Sequence, residues 1–177
     1  RMRIATWNIN GVKARIEGAL TWLRETNPEV ACFQEIKSVT EAFPREPFED
    51  LGYNLAVHGQ KGFNGVAILS KRPIDEVAVR GLPGDDGDAQ ARYIEALIPF
   101  GRGTLRVCNL YLPNGNPIGT EKFAYKLAWM KRLKAPRWKC SWSRASGRLL
   151  SMSRIRARAS SASSSHMKSK RSRPGVP

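Results

Sequence analysis

The stretch Arg3–Lys37, RIATWNINGVKARIEGALTWLRETNPEVACFQEIK, decides how the chain is read. Its first segment, Arg3–Ile9, is short, apolar and β-prone, and it runs into Asn8, Asn10 and Gly11, residues that favour turns. Val12, Ile16, Ala19, Leu20 and Leu23 then recur at helical spacing. They predict an amphipathic helix over Val12–Glu25, stopped by Asn27-Pro28. Val30–Gln34 is an apolar run of strand length, and the polar Glu35 and Lys37 follow where the apolar pattern breaks off. Strand, helix and strand in this order are the unit of a layered α/β protein.

Beyond this unit, strands are predicted at Tyr53–His58, Gly65–Ser70, Glu76–Arg80, Arg92–Pro99 and Thr104–Leu112, between loops rich in Gly, Asp and Pro. Ser38–Leu51 contains Pro44 and Pro47 and reads as loop with a short helix near Phe48–Leu51. Glu121–Lys134 reads as a helix carrying Phe123, Leu127, Met130 and Leu133 on one face. The whole predicts a mixed sheet with helices packed outside.

Charge divides the chain. Of 30 Lys+Arg, 11 lie in Ala135–Pro177, which has no Asp or Glu; Arg1–Lys134 keeps 19 basic residues against all 15 acidic ones. The isoelectric point near 10.4 therefore reports the tail more than the body, and is weak evidence for a nucleic-acid partner. With 12 Ser and little periodicity, residues 135–177 cannot bury enough apolar surface to offset their ordering entropy, and disorder is expected there. The expected division is 1–134 as a folded half-domain and 135–177 as a basic tail. Cys32 and Cys108 lie in apolar runs and read as small buried hydrophobes, in keeping with a reducing cytoplasm. No run approaches the roughly 18–20 uninterrupted apolar residues of a membrane span, so a soluble protein is expected.

Chemistry is to be sought at the strand ends. Asn8 and Asn10 follow the first strand, Gln34 and Glu35 the second, and Asn114 the strand ending near Leu112. Polar residues just past strand ends in layered α/β folds often share one rim. A carboxylate flanked by amides suits a hard cation such as Mg²⁺, which keeps several waters and binds substrate phosphates. No thiolate or His cluster points to zinc. Taken singly, each piece also has a plain structural reading: a strand followed by a turn, a solvated strand edge, a core Tyr111, the wet face of a helix for Lys122 and Lys126. His58 and His166 have no partner pattern and receive no role.

In combination the motifs are specific. Trp7-Asn8-Ile9-Asn10-Gly11-Val12-Lys13-Ala14-Arg15 resembles the opening motif of the exonuclease III and AP-endonuclease family, and Phe33-Gln34-Glu35-Ile36-Lys37 resembles its second. His58-Gly59-Gln60-Lys61-Gly62, Gly65–Ser70, Leu82–Asp86, Ala89–Arg92, Asn109–Gly115 and Lys122-Phe123 continue in the family's order. The resemblance covers Met2 to about Lys134. It implies the front half of a four-layer α/β sandwich of the DNase I-like type, two sheets face to face with helices outside. It further implies Mg²⁺, with Mn²⁺ as substitute, at Glu35 with Asn8 close by. Tyr111 matches the tyrosine that contacts the scissile phosphate. Asn8 also matches a catalytic asparagine, Arg92, Asn114 and Lys122 match positions that hold the DNA backbone, and Asn10, on the loop of Asn8, is counted with them as a phosphate contact. The implied reaction is hydrolysis of phosphodiesters in double-stranded DNA, as 3′-5′ exonuclease and AP endonuclease at 3′ ends and abasic sites, by a monomer.

The second half of the family pattern is missing. No Gly-Asp-x-Asn or Ser-Asp-His motif is present, and there is no Asp after Asp88 and no Glu after Glu121. This predicts an inactive chain, a largely missing second sheet and an unpartnered face on the first. The acid-free, Ser/Arg/Trp-rich continuation is the composition expected of a frameshifted reading. Two other outcomes stay open: a non-catalytic basic module that binds nucleic acid, and a truncated product without function.

Overall fold

The computed structural model describes residues 2–134; the expected tail disorder and frameshift concern residues 135–177, outside the described residues. β1 (Ile4–Asn8) and β2 (Val30–Gln34) pair in parallel, from Ile4 opposite Val30 to Asn8 opposite Gln34. Parallel neighbours require a crossover. It is supplied by α1 (Ile16–Thr26), which starts later than its apolar pattern because Lys13–Arg15 form a 3₁₀ turn first. Asn27 ends the helix in the left-handed conformation, donating its N–H to the Leu23 carbonyl.

A single helical turn, α2 (Glu46–Glu49), lies two residues before its expected position and is seated by the buried Phe48. β3 (Asn54–His58) and β4 (Val66–Ser70) are antiparallel and complete a sheet ordered β1-β2-β4-β3. β5 (Glu76–Arg80), β6 (Tyr93–Phe100) and β7 (Gly103–Leu110) form a separate antiparallel sheet in sequence order.

The second sheet corrects the expectation that it would be largely missing. Val30, Cys32, Ala56, Val66 and Ile68 of the first sheet form one core with Ile94, Ala96, Ile98 and Val107 of the second. The first sheet therefore has its packing partner. On its other face, Ala19, Leu20 and Leu23 of α1 pack with Ala31, Phe33 and Leu69. β2 is buried on both faces, which is why it reads as a continuous apolar run and not as an alternation.

The outer layer of the second sheet is α3 (Glu121–Leu133), whose Trp129 packs on Tyr93 and Leu82, flanked by Tyr125 and Leu133. This is a four-layer α-β-β-α sandwich. The helix buries a face centred on Trp129: of the four expected apolar positions Leu133 packs there and Phe123 and Met130 are half-buried, but Leu127 is 51% exposed, because the indole and the Arg132 ion pairs choose the side that meets the sheet. Cys108 is also exposed, contrary to expectation. Strand alternation turns Val107 and Asn109 inward, so Cys108 must face out.

One polar side chain crosses between the sheets. Asn109, 2% exposed, donates from Nδ2 to the carbonyls of Phe33 (2.8 Å) and Ala67 (2.9 Å), and its Oδ1 accepts from Gln34 Nε2 (2.7 Å). Replacing it by a leucine removes two donors and an acceptor from a dry interface. Asn109→Leu is expected to destabilise the fold by about 2–4 kcal/mol, read as a lower urea midpoint at unchanged slope. A midpoint within error of the parent would show that the sheets do not depend on this amide.

Candidate active site

The parallel β1–β2 ladder continues past both strands into the rim. Ile9 N–H donates to Gln34 O (3.0 Å), Gly11 N–H to Glu35 O (2.8 Å) and Val12 N–H to Ile36 O (3.0 Å). To hold this path, Asn10, Glu35 and Lys37 take φ of 48°, 59° and 51°. Left-handed backbone is unfavourable for a residue such as glutamate, by roughly 1–2 kcal/mol, and persists only where surrounding bonds enforce it. Here Ile36 N–H donates to Gly65 O (3.2 Å) and Lys37 N–H to Asn64 O (3.0 Å), clamping the turn that carries Glu35 from its other side.

Glu35 keeps 22% of its side chain exposed and has the Lys37 ammonium 3.5 Å from Oε1. The same ammonium donates to Asn10 Oδ1 at 2.5 Å, while Arg15 donates to the Asn10 carbonyl. Asn10 is thus tied at both ends. Asn8 stands exposed at the end of β1 and accepts the Asn10 N–H on its Oδ1 (3.2 Å). Lys37, part of the second motif but given no role from sequence, lies inside the site: its backbone is left-handed and its ammonium stands beside Glu35.

Tyr111 follows the end of β7 and meets this cluster. The Glu35 carboxylate and the Arg92 guanidinium both lie near enough to perturb its hydroxyl. Burial first, and the Glu35 carboxylate second, push the phenol above its ordinary pKa, while Arg92 partly opposes them. The Arg92 guanidinium lies 4.8 Å from the centre of the Tyr111 ring, a cation–π distance, and donates to the Tyr111 carbonyl (3.3 Å). Arg92 Nε–H also donates to Gln90 Oε1 at 2.7 Å. Asn8, Asn10, Glu35, Arg92 and Tyr111 therefore form one connected group.

Among the described residues, no hydrogen bond or ion pair joins Asn114 or Lys122 to this group. Asn114 is held through its carbonyl by Lys126 Nζ (3.0 Å), whose stem passes so close to Gly115 that a Cβ there would meet it at 2.5 Å. Lys122 is exposed in the first turn of α3, beside an open hollow it lines with Pro117, Thr120 and Glu121.

The donor chemistry fits a hard divalent cation. Glu35 supplies one carboxylate and Asn8 an amide oxygen, and magnesium commonly takes only one or two protein carboxylates. Among the described residues no three His, Cys, Asp or Glu side chains converge, which is the arrangement a dedicated all-protein metal cage would need. Among the described residues no helix is long and apolar enough to cross a membrane.

The sequence model of the endonuclease/exonuclease/phosphatase family matches residues 5–162. Exodeoxyribonuclease III of Haemophilus influenzae is 44% identical over 126 residues, 71% of this chain and 47% of that protein. An AP endonuclease from Archaeoglobus fulgidus has a similar structure, with TM-score 0.69 and 38% identity over 75% of this chain and 49% of its own. A 3′ phosphatase from Neisseria, bound to product DNA hairpin, gives TM-score 0.70 and 34% identity over 75% and 50%. The chain spans about half the length of the relatives it matches.

The loop that delivers Arg92 is anchored to α3 by a carboxylate that reports on pH. Asp88, its side chain 6% exposed, accepts from Arg132 (2.5 Å), from the Tyr125 hydroxyl (3.0 Å) and from the Gln90 N–H (3.1 Å). Burial alone would raise its pKa, but Arg132, the Gln90 N–H and Tyr125 together hold it below the ordinary 3.8. The folded pKa is lower than the unfolded one. The stabilisation is therefore complete above the ordinary value and is lost as pH falls through the folded value. Acidification from about pH 5 to pH 2 is expected to lower the melting temperature more steeply in the parent than in Asp88→Asn. Equal slopes by circular dichroism would remove Asp88 from the acid response.

Proposed function

This chain belongs to the endonuclease/exonuclease/phosphatase family, and from that premise we propose that it is the front half of a magnesium-dependent DNA-repair phosphodiesterase of the exonuclease III type. Its substrate is double-stranded DNA, cut at abasic sites or trimmed at 3′ ends. Residues 1–134 carry the nuclease-like half and 135–177 a distinct basic segment. The observation that carries the reading is the meeting of the Glu35 carboxylate, the Tyr111 hydroxyl and the Arg92 guanidinium at one rim.

Glu35, with Asn8, would hold Mg²⁺, for which Mn²⁺ would substitute, and the bound ion would supply charge neutralisation on the phosphoryl oxygens. Tyr111 stays protonated at neutral pH, since burial and Glu35 raise its pKa, and so offers a hydrogen-bond donor to a phosphate oxygen. Arg92 keeps the phenol ring in place by stacking on it and adds positive charge where a phosphate approaches. Asn10 keeps the loop of Asn8 in place. Asn114 and Lys122 contact the DNA backbone, which positions a duplex without reading its sequence. Cys32, buried and outside any disulfide, accords with a reducing, cytoplasmic setting, and the enzyme acts as a monomer.

Residues 122–177 contain no Asp or Glu, so none of them supplies a water-activating aspartate. Turnover by this chain alone is expected at background level. The decisive measurement is therefore Mn²⁺ titration of the full chain beside Glu35→Gln, paired with cleavage of an abasic-site duplex in Mg²⁺ and in EDTA. The expected result is one Mn²⁺ site, weakened at least about tenfold in Glu35→Gln, with any residual cleavage abolished by EDTA. Equal Mn²⁺ affinity in both proteins, or cleavage indifferent to EDTA and to Glu35→Gln, removes this reading.

A further inference from the structure

Asn64 is a buried polar residue, 4% exposed, that touches both halves of the candidate site while lying in neither. Its backbone is left-handed, with φ of 54°, a conformation asparagine tolerates better than most residues. On one side, its carbonyl accepts the Lys37 N–H at 3.0 Å, and the next carbonyl, of Gly65, accepts the Ile36 N–H at 3.2 Å. These two bonds hold the turn that carries Glu35. Gly65 must lack a side chain for the contact to form, because a Cβ would meet Ile36 Cγ1 at 2.5 Å.

On the other side, Asn64 Nδ2 donates to Gln60 Oε1 (2.9 Å) and to Gln90 Oε1 (3.3 Å). Both hydrogens of the amide are thereby used. Each glutamine oxygen passes the constraint on. Gln60 Oε1 also accepts the Ala91 N–H (3.0 Å), and Gln90 Oε1 accepts the Arg92 Nε–H (2.7 Å). The Gly65 N–H donates to the Ala91 carbonyl (2.8 Å), fastening the same two loops through the backbone. Arg92 then stacks on Tyr111.

We propose that Asn64 is a positioning residue that couples the placement of the Glu35 turn to that of the Arg92–Tyr111 pair. The proposal rests on the roles assigned above to Glu35 and Tyr111. A residue that only filled space would leave the orientation of Arg92 untouched when its amide is altered. Asn64, in contrast, supplies donors to two oxygens whose remaining capacity holds Arg92 and its neighbour.

Two variants of the full chain separate the arms. Asn64→Gly keeps the left-handed backbone and the carbonyl that receives Lys37, and loses the amide. Asn64→Asp keeps the shape and replaces two donors by acceptors facing Gln60 and Gln90. The first readout needs no metal: the Arg92 Nε–H and Tyr111 ring signals in nuclear magnetic resonance, with circular dichroism melts as a fold control. Both variants are expected to shift these signals and to speed exchange of the Arg92 Nε–H. Gln90→Ala, which cuts the arm to Arg92 while leaving the Asn64 and Gly65 backbone bonds and the Asn64–Gln60 bond in place, is expected to give the same change, and the double variant Asn64→Gly/Gln90→Ala no more than either single one.

The second readout is Mn²⁺ affinity, expected to fall about tenfold in Asn64→Asp, the size typical of residues that orient a ligand. Unchanged Arg92 and Tyr111 signals in folded Asn64→Gly overturn the proposal. So does an additive double variant, and, should the Asn64 variants fail to fold, so does a Gln90→Ala protein with parent-like Arg92 signals. Mn²⁺ binding indifferent to Glu35→Gln instead defeats the reading of the metal site, and the resonance result then still decides whether Asn64 orients Arg92.

Discussion

The arrangement depends first on the amide of Asn109. It stands between two sheets that otherwise meet through aliphatic side chains, and it is bonded on both sides: two donors to the carbonyls of Phe33 and Ala67, one acceptor to Gln34. A buried amide with its partners in place costs little, while one left unpaired costs about 1–3 kcal/mol. The second sheet can therefore slide against the first only by breaking bonds that nothing dry nearby can replace. Apolar contacts alone would tolerate several registers. Tyr111 lies two residues beyond Asn109 on the same side of the strand, so the register that satisfies the amide is also the one that delivers the phenol to Glu35.

Gln34 carries this constraint to the edge of the molecule. Its amide donates to Asn109 Oδ1 and to Thr6 Oγ1, and it lies opposite Asn8 in the β1–β2 register. Asn8, Glu35 and Tyr111 thus hang from three strands joined by one line of side-chain amides and a hydroxyl. Beyond the strand ends, the left-handed residues Asn10, Glu35, Lys37 and Asn64 turn the chain sharply. Their cost is offset by backbone bonds between turns and not within them, so each turn keeps its shape only while its neighbours keep theirs. That arrangement gives a stiff rim with one carboxylate left accessible.

Much of this was legible locally. The β-α-β unit and all seven strands, to within a residue or two at each end, follow from periodicity, and Asn8, Glu35, Arg92 and Tyr111 were singled out by the motifs they share with a family, because each signal depends on residues near in sequence. The contents of the second sheet were legible as strands, yet its existence as a packed layer was not. Pairing of Glu76–Arg80 with Tyr93–Phe100 and the facing of Ile94, Ala96 and Ile98 onto Val30 and Ile68 are long-range facts that alternation does not encode. The same limit explains α3. Apolar spacing favoured Leu127, whereas burial is set by one indole and by Arg132 reaching Asp88 across the sheet. Asn64 stood only in a loop and Asn109 only inside a strand motif, since what makes them matter is the partner each meets far along the chain.

The Arg132–Asp88 pair also shows why the outer helix matters to a rim it does not line. Burying two charges gains little by itself, but removing one partner leaves the other uncompensated, typically at about 3–5 kcal/mol. Asp88 spends its remaining acceptor capacity on Tyr125 and on the Gln90 N–H. Gln90 is the residue whose side chain holds Arg92. Orientation of the guanidinium on Tyr111 is therefore determined from two directions, by Asn64 from the first sheet and by α3 through Asp88 from the second. A site supported by both sheets at once keeps its geometry only when the four layers are packed. The layer that sequence alone predicted to be largely missing is the one from which Tyr111 and Arg92 are presented.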